Sequence, residues 1–132
     1  MQAKASFPVH TSEENRVFIA YAVVAVVLAA GAALSGRAKV ARDERIVTQL
    51  TGIGVPPAWF PRLALAEFAG ALGLLAGLVW RPFGIAAAIG LVLYFAGAIV
   101  THLRAGDAKG LPAPAVMLAI SAAALTLAAV SA

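Results

Sequence analysis

Leu63-Ala-Leu-Ala-Glu-Phe-Ala-Gly-Ala-Leu-Gly-Leu-Leu-Ala-Gly-Leu-Val-Trp80 is an apolar run interrupted by one carboxylate, Glu67. At about 1.5 Å rise per residue, a helix over this run reaches roughly 27 Å, close to the hydrocarbon thickness of a bilayer. An acid in that medium is costly and needs a partner, so Glu67 and whatever reaches it are the first candidates for function. Ala66, Ala69, Gly70, Gly73 and Gly77 form overlapping small-xxx-small pairs along the run, a pattern that lets neighbouring helices approach closely. Trp59 and Trp80 bracket it, where interfacial tryptophans sit on opposite faces of one membrane.

Working outward, Val17–Ser35, Pro82–His102 and Pro114–Val130 are apolar runs of comparable length. The chain has 132 residues, of which 62% are hydrophobic and 12% charged. Soluble domains sit nearer half and a quarter. The expected fold is all-α: an N-terminal tail over residues 1–16, then a single four-helix transmembrane bundle over 17–132 with an amphipathic interfacial segment between helices 1 and 2. Lys4 and Arg16 are balanced by Glu13 and Glu14, unlike the basic start of a secretory signal, so the segment from Val17 reads as a retained anchor. Thr11 and Glu14 have the spacing of a capping box, which predicts a helix start just ahead of the first span. Arg81-Pro82 predicts a tight hairpin, with Pro82 at a helix start where its missing N–H costs nothing.

The connection Gly36–Arg62 interleaves Val40, Ile46, Val47 and Leu50 with Arg37, Lys39, Arg42, Asp43, Glu44 and Arg45. This predicts a helix lying in the membrane interface, ended by Gly52, Gly54 and Pro56-Pro57. Arg37, Arg42 and Arg45 are its candidate partner-docking residues.

The net charge of +4 reads as topology and lipid contact, because the basic residues lack the aromatic interleaving that nucleic acid needs. Lys4, Arg16 and Arg81 fall on one side of the membrane. Arg37, Lys39, Arg42, Arg45, Arg62, Arg104 and Lys109 fall on the other. The positive-inside rule then turns both termini outward and the 36–62 loop to the cytoplasm of a bacterial inner (plasma) membrane. The absence of cysteine excludes disulfides, thiolate chemistry and iron–sulfur clusters. The glycine-rich faces exceed what one small bundle buries, which suggests a homo-oligomer or lipid cover.

The predicted hairpins bring several polar residues to a similar depth near one leaflet. Glu67 lies just inside the long-loop surface, Thr101, His102 and Arg104 end the third span with Asp107 beyond, and Lys39 ends the first. Tyr94 and Thr101 share a face of the third span. Glu67, His102 and Tyr94 are the catalytic candidates. Lys39, Arg104, Thr101 and Asp107 are the candidates for ligand contact or ion pairing. Two readings stand side by side: Glu67 locks the bundle by pairing with Arg104 or Lys39, or it serves a ligand or a proton. No metal site is expected, since the only histidines, His10 and His102, are separated by the membrane. No phosphate loop and no nucleophile–His–acid set stands out.

Taken in order, four segments resemble the DoxX-like family of small four-span membrane proteins. Ser35-Gly36-Arg37-Ala38-Lys39-Val40 is similar to its Ser-Gly-x-x-Lys-Leu segment, with valine for leucine, and Gly54-Val55-Pro56 to its Gly-Val-Pro turn. Glu67 to Gly77 resembles its Glu-x-x-Gly-Ala-x-Gly-Leu-Leu helix, and Arg81 to Asp107 the stretch ending Thr-His-Leu-Arg-x-Gly-Asp. The resemblance implies a membrane four-helix bundle and places Lys39, Glu67, His102 and Arg104 at the family's polar positions, with no catalytic role attached to them. It also implies diverse functions: subunits of quinone-linked sulfur-oxidising complexes, membrane anchors of soluble redox enzymes, and chaperones of other membrane proteins. The leading expectation is a non-catalytic subunit or scaffold of a redox-related complex. The alternative is a membrane enzyme or binding protein for an apolar small molecule (quinone, isoprenoid or epoxide) of isomerase or hydrolase type, with Glu67 as acid or base. No cofactor is evident in the residues themselves; a quinone would suit either expectation.

Overall fold

The structure, a computed structural model, describes the backbone of residues 3–132 and the side chains from Ser12 onward. Among the described residues, five α-helices follow one another: α1 (Ala3–Val40), α2 (Glu44–Gly52), α3 (Phe60–Ala76), α4 (Arg81–Arg104) and α5 (Pro112–Val130). α1 packs on α3, α3 on α4, α4 on α5, and α5 closes the ring on α1. The segments Ser12–Val40, Pro57–Ala76, Arg81–Arg104 and Ala108–Val130 are long and apolar enough to cross a membrane. The chain is an all-α integral membrane protein built as a four-helix bundle, as its apolar runs predict.

Several boundaries differ from the sequence expectation. α1 is already helical at Ala3, so the Thr11/Glu14 spacing does not begin a helix. The expected side-chain cap at Thr11 lies outside the described residues. α3 starts at Phe60 because Pro56 is extended and Pro57–Trp59 forms a 3-10 turn that leads directly into the helix. It ends at Ala76, and Gly77–Trp80 makes the turn, so the hairpin is longer than Arg81-Pro82 alone.

The core is thin. Tyr21, Ala25, Leu28 and Ala32 form a stripe on α1 that meets Ala71 and Leu74 of α3, Ala88, Leu91 and Phe95 of α4, and Ala124 and Ala128 of α5. The glycines of α3 mark where it touches α4: a Cβ at Gly73 would stand 2.6 Å from Ala87 Cβ, and one at Gly77 would stand 2.5 Å from Gly84 Cα. Close backbone approach substitutes here for the apolar driving force that lipid cannot supply. Around this α3–α4 turn the Tyr21 hydroxyl donates to Leu74 O at 2.8 Å. The Arg81 guanidinium donates to Gly77 O and lies 4.9 Å from the Tyr21 ring centroid.

At the opposite end α1 stops in a Schellman turn. Asp43 N donates to Ala38 O at 3.0 Å and Arg42 N to Lys39 O at 3.2 Å, with Arg42 left-handed at φ 54°. Asp43 then caps α2 by accepting from Arg45 N at 3.0 Å. Val55 N donates back to Leu50 O at 2.9 Å, and Gly54, at φ 92°, supplies the left-handed turn that ends the segment. The amphipathic segment is therefore a short helix, and its half-buried Ile46, Val47 and Leu50 face the bundle.

Candidate functional site

Glu67 lies two turns into α3, about 10 Å along the helix from Phe60, and is fully buried. Its partner is Lys39, from the last turn of α1. Lys39 Nζ donates to Glu67 Oε1 at 2.8 Å and to Ser35 Oγ at 2.8 Å. Ser35 and Lys39 are four residues apart and so share a face of α1. Gly36 lets that face meet α3: a Cβ there would stand 2.9 Å from the Phe68 ring. Of the two cations that the sequence offered to Glu67, the structure chooses Lys39. Arg104 is exposed beyond His102 and does not line the site.

The pair satisfies only half of the carboxylate. Glu67 Oε2 is buried with no hydrogen-bond partner. Tyr94 faces the same space from α4. Both residues line a cavity of about 590 Å³, within the range of small-molecule sites. All five helices contribute to it. Ser35 and Lys39 come from α1, Leu63 and Glu67 from α3, Tyr94, Thr101 and His102 from α4, and Pro114 and Met117 from α5. Ile46, Gln49 and Leu50 of α2 cover its loop side, so the amphipathic helix applies its apolar face to this cavity.

His102 is positioned by the end of α4. Gly106 is left-handed at φ 69°, and a second Schellman turn forms, with Asp107 N donating to His102 O at 2.9 Å and Gly106 N to Leu103 O at 3.1 Å. The turn folds Asp107 back over the ring, where Oδ2 lies 2.8 Å from His102 Nδ1. Gly110 N donates to Asp107 Oδ1 at 3.2 Å. No side chain fits at Gly110, since a Cβ would stand 2.5 Å from His102 Nδ1. A carboxylate at Nδ1 assigns the proton to that nitrogen, which leaves Nε2 as an acceptor or base on a ring that lines the cavity. Thr101 donates its hydroxyl to Gly97 O at 2.9 Å, so its oxygen keeps acceptor capacity.

The structure thus brings together Lys39, Glu67, Tyr94, Thr101 and His102, with Asp107 acting through His102. It leaves Arg104 outside. Arg37, Arg42 and Arg45 are exposed on the same end, and the Arg42 guanidinium lies 5.5 Å over the Phe60 ring. Sequence reasoning missed Ser35, Gln49 and Gly110. The four-residue spacing of Ser35 and Lys39 was a usable signal for the first; nothing local pointed to the other two. Among the described residues, no three His, Asp or Glu side chains converge as a metal site would require.

Chemically, the cavity combines an apolar wall with the polar side chains of Ser35, Lys39, Gln49, Glu67, Tyr94, Thr101 and His102. No curated protein and no solved structure matches the chain. The model of the DoxX-like family matches residues 23–124, the stretch that holds the bundle core except Tyr21 and Ala128 and every residue of the cavity. On that match, this four-helix membrane protein belongs to the DoxX-like family.

Proposed function

We propose that the protein binds an apolar small molecule inside the membrane, with Glu67 placed to act on it as acid or base. The observation that carries this reading is the fully buried carboxylate with one oxygen unpartnered at the wall of a 590 Å³ cavity. A bundle lock would use both oxygens or exclude the cavity; here Lys39 neutralises the charge through Oε1 and leaves Oε2 without a bond. His102, held by Asp107, is the complementary proton acceptor. By the positive-inside argument, the α2 end of the cavity faces the cytoplasm.

The test is native mass spectrometry of the protein taken gently from its own membranes. Ala98 of α4 lines the cavity, so a lipophilic mass is expected on the wild type and absent from Ala98→Phe, whose ring fills that space. Identical spectra from the two proteins would remove the proposal. The exposure of Arg37, Arg42 and Arg45 beside α2 supports a second reading, a subunit that docks a redox protein. Substituting all three with glutamine should then release a co-purifying protein while the helical content stays intact.

A further inference from the structure

The seam between α3 and α4 is tight at one end only. A Cβ added at Gly77 would meet Gly84, one at Gly73 would meet Ala87, and one at Gly70 would meet Leu91. The two helices therefore touch along the half of the span nearest the Gly77–Trp80 turn. One and two turns further, Glu67 and Leu63 continue the α3 face, while Tyr94, Ala98 and Thr101 continue that of α4. All five line the cavity, which occupies the continuation of this seam.

The cavity also reaches the outer face of α4. Leu93 and Gly97 line it, yet Leu93 is 67% exposed, Gly97 is exposed, and a Cβ on Gly97 would meet nothing within 4 Å. Gly97 stands seven residues before Arg104, the last residue of α4, about 10 Å along the helix. At that depth a spanning helix is surrounded by hydrocarbon, so the opening is to lipid. Its rim suits lipid as well. Leu93 is apolar, Gly97 has no side chain, and the Gly97 carbonyl already accepts from the Thr101 hydroxyl at 2.9 Å. A charged solute would lose its hydration there and gain no partner. We infer that the cavity opens sideways into the bilayer through a window at Leu93 and Gly97, and that its ligand is an apolar molecule dissolved in the membrane that enters there. This rests on the small-molecule reading above and adds the ligand's source and route.

The experiment irradiates the full chain in phosphatidylcholine vesicles with iodophenyl trifluoromethyl diazirine, a small apolar carbene precursor that dissolves in the bilayer, and maps the labelled residues by mass spectrometry. Phe95 and Pro114 are buried and line the cavity, and they should be labelled alongside Leu72, which is exposed to lipid on α3. Gly97→Trp and the double variant Leu93→Trp/Gly97→Trp place indoles at the window. Relative to Leu72, they should lower the label at Phe95 and Pro114 at least about tenfold. Gly90→Trp is the control, because a Cβ there also meets nothing within 4 Å but Gly90 does not line the cavity; it should leave the interior label unchanged. Interior label that neither window variant lowers, that Gly90→Trp lowers equally, or that is missing from the wild type while Leu72 is labelled would overturn the window. Ala98→Phe separates that failure from failure of the cavity reading. Interior label that it removes while the window variants leave it intact keeps the cavity and discards the window; interior label that persists in Ala98→Phe overturns both.

Discussion

Replacing Lys39 by methionine keeps the aliphatic stem but removes the cation that Glu67 faces. The structure makes the consequence asymmetric. Glu67 is fully buried on a short stem, two turns from the start of α3, and it cannot reach water when its partner is gone. Stranding one member of a buried ion pair costs about 3–5 kcal/mol, and Lys39→Met should fall in that range. Glu67→Leu leaves the opposite orphan. Lys39 lies one residue from the end of α1, keeps its bond to Ser35 Oγ at 2.8 Å, and has a long stem that can carry the ammonium to the interface. That variant should lose only about 1–2 kcal/mol, the scale of a charged hydrogen bond given up. The double variant Lys39→Met/Glu67→Leu replaces the pair with apolar volume and should return to within about 1 kcal/mol of wild type. The assay is equilibrium unfolding in mixed micelles with increasing dodecyl sulfate, followed by far-ultraviolet circular dichroism. The reasoning predicts a coupling of at least about 3 kcal/mol between the two sites. Additive losses, or a Glu67→Leu variant less stable than Lys39→Met, would refute it.

Two further expectations concern backbone geometry. Gly84→Ala should destabilise the bundle by about 1–3 kcal/mol, because the added methyl meets the Tyr21 hydroxyl and the Gly77 backbone. Gly90→Ala, where a Cβ meets nothing within 4 Å, should gain about 0.5–1 kcal/mol from helix propensity; thermal melts of the two in one detergent decide the matter. Arg42 holds a left-handed φ of 54°, and its guanidinium stacks 5.5 Å from the Phe60 ring. Arg42→Gly relieves about 1 kcal/mol of strain and loses a contact of similar size, for little net change in melting midpoint. Arg42→Ala loses the contact and keeps the strain, so it should melt earlier.

The four spans and their order were legible from the sequence, because the length of an apolar run maps directly onto bilayer thickness whatever its neighbours do. So was Glu67, since an acid in such a run stands out without any partner being known. The helix-ending role of Gly54 could also be read locally, because a left-handed turn selects glycine. Which cation answers Glu67 could not. Lys39 and Arg104 lie at similar depth on two helices that both pack on α3, and the choice rests on the close α1–α3 approach at Gly36 and on Arg104 lying beyond the last buried turn of α4. The amphipathicity of α2 announced an apolar face but not what it covers; tertiary placement turned Ile46, Gln49 and Leu50 onto the cavity. Asp107 was visible as a polar neighbour of His102, yet its bond to Nδ1 exists only because the chain reverses at Gly106 and packs Gly110 against both side chains. Composition and periodicity determine which segments enter the membrane and which residues are costly there. The cavity, and the carboxylate oxygen left without a bond beside it, belong to the packing of all five helices, where the identity of a partner is set by distances of a few ångströms that no single helix contains.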